Sequence, residues 1–282
     1  MIESLEEAER SLLRERAGKA RRDFRRAVRP IYAVANDGAN RRPQHVGSCI
    51  LLLIDGQRIL STAAHILDDR ANALLSVGGL VGTRLVPIVD GMFKATTAPQ
   101  GDRNRDRLDC GFWLISDDVA AALGSAEFLD AERISHNRAP TEHRYYMAMG
   151  YRVSRNKDAI DRRTQSIETR ASTYSGSLLG IPEPARRQGF SDAQHLFLQF
   201  GDHAEDEDGK QANTFGPRGF SGGALVDLGD FTPAQVYASA QAWRATLSGM
   251  LIEHRKEHNA MVAVQIGSIV EGIRNALRSN AA

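Results

Sequence analysis

Cysteine is scarce in this chain: Cys49 and Cys110 are the two among 282 residues. A secreted protein of this type usually carries more of them as staples, so the count argues against a disulfide framework. It favours a reducing compartment, with both thiols free and buried. Long apolar runs are missing too. No stretch approaches the ~18 residues that span a bilayer. The N-terminus opens Met1-Ile2-Glu3-Ser4-Leu5-Glu6-Glu7, acidic where a signal peptide has its basic end. These absences point to a cytoplasmic protein with no membrane partner. An excess of one charge is also lacking, since 36 Lys and Arg stand against 35 Asp and Glu, for a formal net charge of +1. There is no clear repeat and no low-complexity tract. What is present is a hydrophobic fraction of 42% and 25 glycines. That composition suits a globular, turn-rich chain of one or two domains with a real core.

Residues 3–28 read as a helix. Leu5, Ala8, Leu12, Ala20, Phe24 and Val28 recur at roughly helical spacing. Glu3, Glu6 and Glu7 sit at the end where the helix dipole favours acids, and Pro30 fits just past the other end. The second half is basic, with Arg10, Arg14, Arg16, Lys19, Arg21, Arg22, Arg25, Arg26 and Arg29. A solvated face on a helix that packs by its apolar side is the favoured reading, because the overall charge is balanced. A docking arm for a regulatory protein partner is the alternative, and nucleic acid is not the expected partner.

After residue 44 the pattern changes to short strands and turns. Cys49-Ile50-Leu51-Leu52-Leu53-Ile54 reads as a buried strand, Asp55-Gly56 as a two-residue hairpin turn, and Arg58-Ile59-Leu60-Ser61 as the return. Further strands are expected over 73–77, 84–89, 108–115, 144–149, 166–174, 195–200, 223–227, 246–253 and 260–264. The acidic run Gly201–Gly209 reads as a solvated loop, lacking the ligand spacing of a calcium loop. Residues 116–123 form a capped helical linker near a break over 120–142. Ile266, Ile269, Val270, Ile273 and Leu277 give the tail 265–279 one apolar helical face. Many short strands with Gly-rich turns argue for barrels or sandwiches.

The chemistry-bearing stretch is Gly219-Phe220-Ser221-Gly222-Gly223. Serine is a poor nucleophile at neutral pH and needs a base, a group that orients the base, and donors for an oxyanion. Glycines permit a tight turn that aims the Gly219 and Ser221 N–H groups at one point. The candidate base is His65, where an apolar strand runs into Thr62-Ala63-Ala64. The candidate orienting acid is Asp109, which leads into the apolar Cys110–Ile115 and needs a partner to be buried there. Asp102 and Asp106 read as loop residues. His254 and His258, four apart, show no third metal ligand and read as surface residues. Glycine-rich turns before strands are common and a lone histidine is ordinarily structural, so each feature alone leaves the chemistry open.

Taken together, Thr62-Ala63-Ala64-His65, Asp109-Cys110-Gly111-Phe112 and Gly219-Phe220-Ser221-Gly222-Gly223 occur in the order His, Asp, Ser. This resembles the trypsin-like (chymotrypsin-fold) serine proteases, of the bacterial intracellular type. Val46-Gly47-Ser48-Cys49-Ile50 resembles the strand before the histidine. Leu247–Ile252 resembles the strand that lines the substrate cleft. The resemblance covers about residues 44–279. It implies an all-β fold of two six-stranded antiparallel barrels with an N-terminal and a C-terminal helix. The implied division is 1–29 for the basic helix, 30–125 for the first barrel and 126–282 for the second. It also implies a serine endopeptidase acting on protein or peptide substrates through an acyl-enzyme, as a regulated intracellular effector, with no metal and no cofactor. His65, Asp109 and Ser221 would be the triad, and Gly219 and Ser221 the oxyanion hole. Phe215, six residues before the serine, would floor the primary pocket beside Gly216, with Ile252, Glu253 and His254 as its wall.

Two positions depart from the family. Phe220 stands where secreted members usually carry an aspartate that pairs with a new N-terminus, so activation by propeptide cleavage is not expected, and packing around Phe220 or a partner would order the turn. Phe215 carries no charge, so a preference for cleavage after Arg or Lys is not expected either. A non-catalytic fold kept for partner binding is the alternative reading.

Overall fold

Ser4 opens the first helix, α1 (Leu5–Phe24), with a reciprocal cap: its hydroxyl accepts from the Glu7 N–H while the Glu7 carboxylate accepts from the Ser4 N–H. The computed structural model describes residues 4–35, 43–78, 84–89, 91–124, 126–135, 143–156, 160–161, 166–167, 169–201, 203–205, 211–237 and 243–281. The helix is shorter than its periodicity suggests. It ends at Phe24, and by Val28 the chain is extended as β1 (Val28–Ala35), with Pro30 inside the strand. Val28, which fits the helical spacing, is buried through strand pairing instead.

A first sheet follows from β2 (Gln44–Ile54), β3 (Gln57–Ala63), β4 (Ala73–Val77), β5 (Val86–Pro87), β6 (Phe93–Ala95) and β7 (Cys110–Leu114), with α2 (Ala64–Asp68) after β3. Its order is β5-β4-β1-β2-β3-β7-β6, a curled half-barrel sheet of seven strands that takes the place of the first expected barrel. Asp55 and Gly56 both have positive φ, 49° and 79°, as the two-residue hairpin between β2 and β3 requires. After α3 (Asp117–Ala122), capped by Ser116, come β8 (Arg144–Tyr151), α4 (Val153–Asn156) and the small pair β9 (Ile160–Asp161) and β10 (Ser166–Ile167). Next are β11 (Ala171–Leu179), α5 (Glu183–Arg187), β12 (His195–Gln199) and the hairpin β13 (His203–Glu205) with β14 (Gln211–Asn213). The acidic run Gly201–Gly209 otherwise falls mostly outside the described residues, as does part of the 120–142 break. The chain closes with β15 (Ala224–Asp230), α6 (Pro233–Val236), β16 (Thr246–Arg255), β17 (Ala260–Gln265) and α7 (Ile266–Ala281). Strands β11-β12-β17-β16-β15-β8 form a closed six-stranded antiparallel barrel.

Side-chain alternation explains why the strand sequences are apolar on both faces. On β2, Cys49 and Leu51 enter the core of the first sheet, while Ile50, Leu52 and Ile54 enter a core shared by both units. On β8, Tyr146 and Ala148 fill the second barrel, while Met147 and Met149 face the shared core. Phe24 of α1 and Ile266, Ile269 and Ile273 of α7 close that shared core from outside. The architecture is the two-barrel trypsin-like one, with a helix at each end. Among the described residues no helix is long and apolar enough to cross a membrane. The two cysteines are unpaired, and burial pushes both thiols up to about 12.

Candidate active site

His65 is the second residue of α2, a helix whose N-cap, Ala63, offers no side-chain acceptor. Asp109 supplies it from the next strand over. Its carbonyl accepts from the Ala64 N–H at 2.9 Å, and its Oδ1 accepts from the His65 N–H at 2.9 Å. Its other oxygen, Oδ2, lies 2.5 Å from His65 Nδ1. One carboxylate thus caps the helix and takes the ring hydrogen bond, which leaves Nε2 as the ring's outward nitrogen. Asp109 does this at φ 35°, a left-handed conformation that costs a non-glycine residue and is held here by its three bonds. Burial pulls the His65 ring down, but the hydrogen bond and charge of Asp109 outweigh it and hold the ring above its ordinary 6.5. Asp106 and Asp102 do sit in the preceding loop. Asp106 takes Arg103, and Asp102 caps the turn that begins there.

Ser221 lies on a turn from Pro217 to Gly223 that leads into β15. The Phe220 N–H bonds the Pro217 carbonyl at 2.9 Å and the Gly223 N–H bonds the Phe220 carbonyl at 2.7 Å. Gly219 has φ 97°, and a Cβ there would meet the Tyr151 carbonyl at 2.5 Å. Gly222 has φ 80°, and a Cβ there would lie 1.9 Å from the Ser48 carbonyl. Both positions therefore exclude side chains by dihedral and by space. Among the described residues neither the Gly219 nor the Ser221 N–H has an acceptor, which leaves both donors available to a developing oxyanion.

Ser48, one residue of a strand motif in the sequence, is the clamp between the two units. Its N–H donates to the Ser221 carbonyl at 2.8 Å, and its hydroxyl donates to the Gly219 carbonyl at 2.8 Å and accepts from the Tyr151 N–H at 3.0 Å. Thr62, three residues before His65, donates to the Ser48 carbonyl at 2.7 Å. So the turn with Ser221 is tied to the strand ends that carry His65. His45 also packs on this turn: its Cε1 would be 2.8 Å from a Cβ on Gly219. Burial pushes His45 down to about 4, so it sits there neutral, edge-on to Tyr32. Sequence reasoning singled out neither residue for a role, because nothing local marks a serine or histidine whose partners lie on another barrel.

The Ser221 hydroxyl hydrogen-bonds the Ile252 carbonyl at 3.0 Å, not the His65 ring. This differs from the expected serine–histidine bond. Of the expected pocket residues, Ile252 is buried beside Ser221, Glu253 pairs with Arg255 at 2.9 Å, and His254 is exposed with its ring 5.3 Å from Phe200. Gly216 is exposed, and Phe215 is half-buried. Phe215 does not stand over an empty floor: its ring lies 5.2 Å from Phe220 and 5.8 Å from Phe200. Phe220 is itself buried and packs on Gly150, so apolar contact occupies the place of the family's ion pair. His254 and His258 gain no third ligand: among the described residues no group of three His, Cys, Asp or Glu side chains could hold a metal.

No protein-family model matches the chain, and no curated protein sequence matches it either. Solved structures do resemble it. A serine endoprotease from Yersinia pestis superposes with a TM-score of 0.51 at 14% identity, over 94% of this chain and 67% of its own. An inactivated protease paralogue from the scabies mite superposes with a TM-score of 0.51 at 13% identity, over 91% of this chain and 96% of its own. At such identities the likeness shows the fold, that of trypsin-like serine proteases. One of these neighbours is described as an endoprotease and the other as an inactivated protease, so the fold alone does not decide activity.

Proposed function

We propose that the protein is a serine endopeptidase that hydrolyses peptide bonds through Ser221, His65 and Asp109. The observation that carries this reading is the double engagement of Asp109, with one oxygen on the His65 backbone and the other on its ring. A histidine held in one tautomer with Nε2 outward is what a general base for serine needs. For this the Ser221 hydroxyl must leave the Ile252 carbonyl for the His65 ring, a change of side-chain rotamer. His65 takes the proton as Oγ attacks the scissile carbonyl, and the oxyanion meets the N–H groups of Gly219 and Ser221. His65 then protonates the leaving amine, and water, activated by the same ring, releases the acyl group and restores the serine. No metal or cofactor enters these steps. The two unpaired thiols suit action inside a cell, on a protein or peptide substrate, with packing around Phe220 in place of activation by propeptide cleavage.

A partner-binding fold without catalysis has one observation in its favour, the bond of Ser221 to Ile252. Labelling by a fluorophosphonate probe separates the two. Labelling of the wild type that is lost in Ser221→Ala and in His65→Ala supports the peptidase. A wild type that stays unlabelled, even with peptide present, favours the binding fold.

A further inference from the structure

The turn that carries Ser221 is flanked by arginines that no acid on the described chain neutralises. Arg218 is exposed and immediately precedes Gly219. Its carbonyl accepts from the Val153 N–H at 2.9 Å, which holds the start of α4 against the turn. Arg152 and Arg155 belong to that segment, and the Arg155 N–H bonds the Arg152 carbonyl at 3.2 Å. Among the described residues none of these three has a carboxylate partner. Several other arginines do pair with acids. Arg103 and Arg144 each take two aspartates, Arg255 takes Glu253 and Glu257, and Arg274 takes Asp55.

Arg152 is the best ordered of the three for a task. Its Nε donates to Ser172 Oγ at 2.9 Å, and its Cζ lies 4.5 Å from the centre of the Phe215 ring. Those two contacts fix the guanidinium plane and leave its terminal nitrogens as donors. Burial, with the Arg155 cation beside it, pulls the group below its ordinary value, so an arriving anion would relieve it. The Phe215 ring that it covers is in turn 5.2 Å from Phe220, the neighbour of Ser221.

We propose that Arg152 and Arg218 read an acidic side chain of the substrate beside the scissile bond, with Arg155 adding to the local positive potential. This rests on the peptidase reading above and names its substrate class. A carboxylate can accept two parallel N–H bonds from a planar guanidinium, while the isosteric amide of glutamine offers one neutral oxygen. A lysine or arginine in the same place meets unpaired cations, so the same groups reject basic substrates. The uncharged Phe215 fits this, since it supplies no counter-charge for a basic side chain.

The test uses matched peptides that carry Glu or Gln at each of three positions on either side of the scissile bond. Cleavage by the wild type and binding to the Ser221→Ala protein, by fluorescence anisotropy, are both measured. At one position Glu is expected to exceed Gln about tenfold, and the ratio should shrink in 0.5 M salt, as for a partly exposed ion pair. In Arg152→Gln/Arg218→Gln the ratio should fall toward one, and in Arg218→Glu the preference should turn toward lysine. Because each ratio is taken within one protein, a poorly folded fraction does not alter it. A wild-type ratio of one at every position overturns the proposal, and so does a ratio that survives in the double variant. Stronger competition by single-stranded DNA than by the acidic peptide also overturns it, in favour of a nucleic-acid surface. If the probe fails to label Ser221, the peptidase reading falls, and the binding ratio on the Ser221→Ala protein still decides whether the arginines select acid.

Discussion

In the proposed peptidase His65 must be neutral to accept a proton, and Asp109 raises the pH at which it becomes so. The ring is held above 6.5 because the bond and charge of Asp109 outweigh burial. The rate of probe labelling should therefore rise with pH through a midpoint above 6.5. Asp109→Asn removes the charge and leaves a side chain that tolerates the left-handed φ of 35° at this position. That variant should fold, shift the midpoint downward and lose about 10⁴ in kcat, measured by stopped-flow or probe kinetics across pH. An unmoved midpoint would deny Asp109 its role. The linkage to stability has the opposite sign to activity. A raised folded-state value means that the His65–Asp109 pair contributes stability fully below the unfolded value near 6.5. The contribution is lost as pH rises through the folded value. So the protein is expected to gain activity over the same window in which this pair stops adding to stability.

At the scale of elements, two glycines in left-handed conformation give contrasting expectations. At Gly222 a Cβ would press on the Ser48 carbonyl at 1.9 Å and Thr62 Oγ1 at 2.4 Å, backbone and short side chains that have nowhere to go. At Gly56, on the β2–β3 hairpin, a Cβ would meet nothing within 4 Å. Gly56→Ala should then cost about 1 kcal/mol from its dihedral alone, whereas Gly222→Ala should cost about 2–4 kcal/mol and abolish probe labelling. Urea midpoints at constant m-value measure both, and equal losses would mean that the Ser48 clamp does not confine the turn. The same scale explains α1. Its basic composition reads as a solvated face, yet Arg16 is buried. It donates to the carbonyls of Leu228 and Asp230 at 3.0 Å, with Phe231 and Trp243 rings on its guanidinium. One of the helix's arginines is thus a fastening to β15, an outcome that charge counting cannot reveal.

Across the whole molecule, the shared core joins Ile50, Leu52 and Ile59 of the first sheet to Met147, Val226, Leu247 and Val264 of the barrel. Two units that bury each other's strands in this way should not unfold separately. Trp113 lies in the first sheet and Trp243 beside the second barrel. Melts followed by Trp113 alone, in Trp243→Phe, and by Trp243 alone, in Trp113→Phe, should each coincide with the circular-dichroism melt of the same variant. A tryptophan signal that melts apart from the circular dichroism would show that the interface is weaker than its burial implies.

Much was legible from the residues in order. The Asp55-Gly56 turn, the apolar strand 49–54, the tail helix and the glycines around Ser221 are set by dihedral preference and short-range pattern, which neighbours along the chain determine. The pairing of His65 with an acid 44 residues away came from resemblance rather than from periodicity. What the residues in order did not decide depends on contacts between distant segments. Strand β1 was hidden because Val28 suits a helix until it pairs with Ile50 of β2. The first sheet's seventh strand, the neutral His45 and the three arginines beside the turn, which meet no acid among the described residues, show only where other strands arrive. Ser48 is the clearest case: it meets Gly219 across 171 residues. A hydroxyl becomes a clamp only when the fold brings a carbonyl to it, and no local property of serine records that.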